Sequence, residues 1–151
     1  MSKKVIEPYM HKVQYYETDQ MAIVHHSNYI RWFEEARVDF LDKIGYGYKA
    51  MEEQGIISPV TGVSCEYKSM TRFGDTVRIA AKVLEFNGIR LRIGYQIYDA
   101  ATNELRSQGE SQHCFINPEG KIVSVKRANP EFYNCLKGYA ENNENNETEK
   151  E

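Results

Sequence analysis

From Ser27 onward, apolar positions recur at helical spacing. Tyr29, Trp32, Phe33, Ala36, Phe40, Leu41 and Ile44 fall on one side, with Arg31, Glu34, Glu35, Asp39, Asp42 and Lys43 opposite. The period predicts a helix over 27–43, with Ser27 or Asn28 as N-cap and Gly45 at its end. So wide an aromatic stripe needs a large apolar partner, most simply one face of a sheet. The rest of the chain supplies strands. His11 to Tyr16 alternates loosely and predicts a first one, and Glu17 to Val24 has no period and reads as a loop. A short second helix is expected over 46–54, closed by Gly55. Period-two alternation then runs through Ile56–Met70, Thr76–Phe86, Ile89–Tyr98 and Glu104–Ile116. Turn signals separate these runs: Gly74-Asp75, Asn87-Gly88, Asp99–Asn103 and Asn117–Gly120, the last leading to Ile122–Val125. Pro130 can start a last short helix through Leu136, and the Asn/Glu-rich end predicts a disordered tail over 139–151. Strands at hairpin spacing with no helices between them make a mainly antiparallel sheet, so the class is α+β in one domain over 1–138.

Composition narrows the function classes. A net charge of -3 is the wrong sign for a general nucleic-acid binder, although a local basic patch could still hold a phosphorylated ligand. The 3 cysteines, Cys65, Cys114 and Cys135, contain no CxxC pair and read as reduced thiols. No apolar run approaches membrane-spanning length and the start lacks a signal-peptide core, so a cytoplasmic protein is expected.

Candidate chemistry gathers just ahead of the predicted helix. Asp19 lies in a loop flanked by Met21, Ile23 and Val24, where it can form an Asx-turn or act as nucleophile or general base. His25 and His26, being adjacent, are not expected to share one face, and His113 is their distant candidate companion. No HxxxH or HExxH spacing marks a metal site. His26, at the helix start, suits a surface or capping role, or a neutral ring beside free amides that polarise a carbonyl. Arg90, Lys126 and Arg127 stand at strand ends, as solvated surface or as phosphate ligands. Neither a P-loop, nor GxGxxG, nor a nucleophile elbow is present.

The run Tyr16-Glu17-Thr18-Asp19-Gln20-Met21-Ala22-Ile23-Val24-His25-His26-Ser27-Asn28-Tyr29, followed by Phe33-Glu34-Glu35-Ala36-Arg37, resembles the signature of the hotdog-fold acyl-CoA thioesterases. It is most similar to the 4-hydroxybenzoyl-CoA thioesterase-like branch that includes bacterial short-chain enzymes. The resemblance implies a long central helix wrapped by a curved antiparallel sheet. It implies subunits that join their sheets into dimers with active sites at the interface, and often tetramers built from those dimers. It implies hydrolysis of an acyl-CoA to a carboxylic acid and free CoA without a cofactor. By position, Asp19 would be the catalytic carboxylate and His26 the donor to the thioester oxygen. Tyr29 and His25 would border the substrate, and Arg90, Lys126 and Arg127 would meet the CoA phosphates. Glu66 is a rival carboxylate. A non-catalytic acyl-CoA binding module, or a thioesterase acting on carrier-protein thioesters, is the alternative on the same scaffold.

Overall fold

The computed structural model describes residues 6–150, with side chains through residue 140. The central helix α1, Ser27–Lys43, lies against a five-stranded antiparallel sheet. Its strands are β1 Tyr9–Lys12, β2 Val60–Tyr67, β3 Thr76–Phe86, β4 Arg90–Asp99 and β5 Leu105–Cys114. The spatial order is β1-β3-β4-β5-β2, which leaves β1 and β2 as the edges. Register shifts between Val60 and Gly62, Val83 and Glu85, and Ile97 and Tyr98 bend the strands around α1. The expected hotdog architecture is present.

The stripe on α1 does what its period implies. Trp32, Phe33, Ala36, Phe40 and Leu41 are buried against Val77, Ile79, Val83, Leu91, Ile93 and Ile97 of the sheet. Each large side chain so buried stabilises the fold by about 1.5–3 kcal/mol. Phe33 stacks on Tyr95 with centroids 4.5 Å apart. Gly109 of β5 makes room for this packing. A Cβ there would stand 2.1 Å from the Ser64 carbonyl oxygen and 3.0 Å from the Phe33 ring. Gly88, at φ +90°, closes the β3–β4 hairpin while Asn87 Oδ1 accepts the amides of Ile89 and Arg90.

Four local expectations are corrected. The first strand ends at Lys12, and Tyr15–Glu17 is a single 3-10 turn, because the Glu17 carboxylate takes the Gln14 amide and coils the chain. Neither Ser27 nor Asn28 caps α1. His26 holds the cap position, Ser27 Oγ turns to His25 Nδ1 (2.8 Å), and Asn28 Nδ2 donates to the Glu17 carbonyl (2.7 Å). Ile122 makes only an isolated bridge to Ile116, after which a short helix α3, Val125–Ala128, follows. The last helix, α4, runs Pro130–Lys150, well beyond Leu136 and through most of the stretch expected as a tail. Phe132, Leu136 and Ala140 hold it on the core, and Lys137 Nζ donates to the Phe86 carbonyl (3.0 Å). The short α2, Tyr48–Glu53, buries Met51.

Candidate active site

The segment between the 3-10 turn and α1 folds into a tight loop. Thr18 bridges Val24, Asp19 N–H donates to the Ile23 carbonyl (2.9 Å), and Ala22 N–H returns to the Asp19 carbonyl (3.0 Å). Ala22 takes the left-handed conformation at φ 63°. Asp19 Oδ1 accepts the Met21 amide (2.9 Å), the Asx-turn expected of it. Oδ2 makes no hydrogen bond among the described residues. The residue is half-buried, so its carboxylate can meet both a substrate and water.

His25 and His26 are exposed, and their rings stack with centroids 4.1 Å apart, against the expectation that neighbours point apart. The reason is local: His26 already has helical φ and ψ, and His25 is turned back by its bonds to Ser27. Ser27 N–H donates to His25 Nδ1 (3.2 Å) and Asn28 N–H to the His25 carbonyl (3.0 Å). The His26 N–H is used by none of the described residues. Tyr67, at the end of β2, donates its hydroxyl to the His26 carbonyl (3.1 Å). Burial first, then contact with Cys65, pushes its phenol up to about 12. Its ring meets Tyr29 edge-on at 5.3 Å, and Tyr29, buried, donates to Thr71 Oγ1 (3.1 Å). Asp19, His25, His26 and Tyr29 thus share one end of the sheet, and Tyr67 joins them from the edge strand.

Beneath the loop sits a group that the pattern of apolar positions does not reveal. Glu17 is 4% exposed. Its Oε2 accepts the Trp32 indole N–H (2.6 Å), and its Oε1 accepts the Gln14 amide and faces His11 Nε2, each at 2.8 Å. Burial opposes the charge, but the bonds from Gln14, His11 and Trp32 outweigh it and hold the carboxyl below its ordinary range. His11 lies between two carboxylates, since Glu35 is 3.4 Å from its Nδ1.

The other sequence candidates lie elsewhere. His113 is no companion of the pair. It is buried beyond Ser111, at the end of a polar chain that runs Arg37, Tyr95, Ser111, His113. Glu66 is exposed on the edge strand β2 and paired with Lys68 (2.9 Å). Arg90, Lys126 and Arg127 are exposed at the opposite end of the sheet, with α3 tied to the β3–β4 hairpin by Val125 N–H on the Gly88 carbonyl (2.8 Å). The register puts Tyr67 beside Ser107 and Val60 beside His113, so roughly 20 Å of strand separates the two ends. Arg90 lines a cleft of about 620 Å³ with Thr61, Arg92, Gln112 and Ile122. A hollow of about 460 Å³ opens on the outer sheet face, above Ala80, Gly94 and Gln108. Neither includes Asp19 or His26.

This fold, with an acid and a helix-start amide in one short loop, is that of a hotdog thioesterase, and the chain belongs to the thioesterase-like superfamily, whose model matches residues 13–134. It is thereby a thioester hydrolase. It is 35% identical over 134 residues to a putative acyl-CoA thioesterase, YneP, of Bacillus subtilis, covering 88% of this chain and 93% of that one. It is 35% identical over 121 residues to a putative esterase of Aquifex aeolicus, with 79% and 91% covered. Among solved structures it is similar to a DHNA-CoA thioesterase of Staphylococcus aureus, with TM-score 0.86 and 33% identity over 92% of this chain and 94% of that one. Among the described residues, no helix is long and apolar enough to cross a membrane.

Proposed function

We propose that the protein hydrolyses acyl-CoA thioesters, with Asp19 as the reacting carboxylate. The observation that carries the reading is that one Asp19 oxygen is fixed on the Met21 amide while the other makes no bond to a described residue. The His26 amide, at the start of α1, is equally uncommitted, and the helix dipole favours negative charge there. A thioester carbonyl oxygen accepting that amide gains stabilisation as it becomes an oxyanion. Asp19 either takes a proton from the water that attacks the carbonyl carbon, or attacks that carbon itself. In both cases the C–S bond breaks to release the CoA thiolate, and in the second a water then hydrolyses the acyl-Asp19 anhydride, freeing the acid and the Asp19 carboxylate. The thiolate takes up a proton, and the products are a carboxylic acid and free CoA.

The relatives' names support the substrate class. The strand edge supports a subunit pair. Val60, Val63 and Tyr67 of β2 are 49%, 45% and 49% exposed on an unpaired edge. Antiparallel pairing of two β2 edges about a two-fold axis sets the Val60 end of one subunit beside the Tyr67 end of the other. The basic end carrying Arg90, Lys126 and Arg127 then reaches the partner's Asp19 loop, which suits a ligand as long as CoA. His25 and Tyr29 border the acyl group in this reading.

Thiol release from short, medium, long and aromatic acyl-CoAs, with the unaltered chain and Asp19→Asn side by side, tests the assignment. We expect turnover by the first and a loss of about 100-fold or more in the second. An Asp19→Asn variant with full turnover would overturn the role of Asp19.

A further inference from the structure

We propose that Glu17 is the positioning residue of this site: its buried carboxylate and its own carbonyl pin both ends of the Asp19 loop to α1 and β1. The inference rests on Asp19 as the reacting group. Few carboxylates of a small domain are this buried, and burial is costly unless every lone pair is used. Here the side chain draws on three separate elements: His11 on β1, the Gln14 amide in the 3-10 turn, and Trp32 on α1. The same residue's carbonyl accepts the His25 amide (2.9 Å) and the buried Asn28 side chain (2.7 Å). Glu17 therefore holds the loop where it starts, one residue before Thr18, and where it ends, one residue before His26. Every hydrogen bond that sets Asp19 opposite Ile23 lies between those two points.

The charge is part of the device. A carboxylate offers acceptor sites on both oxygens, one for the indole and one for the Gln14 amide. An amide in its place has a single oxygen, so its NH2 must face one of two N–H donors. That clash pushes the turn away from α1, and Asp19 with it. Displacing a reacting group by about 1 Å costs up to about 100-fold in rate without weakening substrate binding.

The experiment compares the unaltered chain, Glu17→Gln, Trp32→Phe, the double variant and Asp19→Asn. Each is assayed for kcat and KM with an acyl-CoA that the unaltered chain turns over, and for Tm. Amide hydrogen exchange of Asp19, Val24 and His25 supplies a readout independent of turnover. Glu17→Gln should lower kcat by about 10- to 100-fold with KM within about twofold, and exchange at His25 should rise by about tenfold. Adding Trp32→Phe frees a place for the amide NH2, so the double variant should regain part of the kcat lost by Glu17→Gln. A loss of Tm alone, with kcat and exchange unchanged, would mean an ordinary core residue and would overturn the proposal. Should Glu17→Gln fail to fold, His11→Gln and Trp32→Phe each disturb one partner and leave the charge. A kcat lowered by about threefold or more in either supports the anchor, and full kcat in both overturns it. Full turnover in Asp19→Asn would instead sink the assignment of Asp19, whatever Glu17 does.

Discussion

At 1% exposure, and with Arg37 on the same chain of hydroxyls, His113 stays neutral in the fold. Burial first, and the guanidinium second, lower its imidazole from 6.5 to about 4. The unfolded chain therefore binds more protons than the folded one between those values, and folding stability falls as pH drops through that window. Between pH 7 and 5 the loss from this residue is about 2 kcal/mol. Urea unfolding at both pH values should register it, and His113→Gln should flatten the dependence by a similar amount. Glu17 is shifted in the same direction with the same outcome: lowered below 4.5, it stabilises above that value and loses its contribution as pH falls through the folded one. Residue type and position singled out Asp19 and His26 as candidates, and the resemblance added Tyr29. The sequence could not identify Glu17, His11 or Tyr67 as part of the site. Their roles come from strands and turns that meet only in three dimensions, and one-dimensional periodicity carries no signal for a buried carboxylate with three donors.

The elements were mostly legible. The α1 stripe and the strands β3 to β5 follow from period alone, and Asn87-Gly88 placed the hairpin. Two of the misses share one cause, side chains competing for backbone groups. Glu17 coils the end of the first strand, and Ser27 and Asn28 spend their polar atoms on His25 and Glu17 instead of capping α1. Packing between elements sets the cost of change. Gly109→Ala should destabilise by about 2 kcal/mol or more, because the new methyl meets the Ser64 carbonyl at 2.1 Å, backbone that cannot swing aside. Gly138→Ala, inside α4 with nothing within 4 Å, should stabilise by about 0.5–1 kcal/mol. Chemical denaturation of the two variants checks both signs.

For the molecule as a whole, one chain sets the Asp19 loop and its basic residues at opposite ends of the sheet. The resemblance implies a site shared between subunits, whereas local patterning alone had no means of measuring the separation of the two ends. If edge pairing through β2 completes the site, Val63→Lys, a charge on the exposed edge, should turn the assembly into monomers and lower kcat/KM by about tenfold or more. Sedimentation alongside the thiol-release assay reads both. Full activity in a monomer would show each chain to be sufficient.

Trp32 is the sole tryptophan, 0% exposed, with its indole on Glu17 and its ring 4.9 Å from that of His11. The protein therefore carries a single indole fluorophore at the foot of the Asp19 loop. Emission excited at the red edge of protein absorption comes from that one place, without dye or label. Its wavelength reports when water reaches the indole. Loop release and ligand arrival can each be followed optically, in real time, on the unaltered chain.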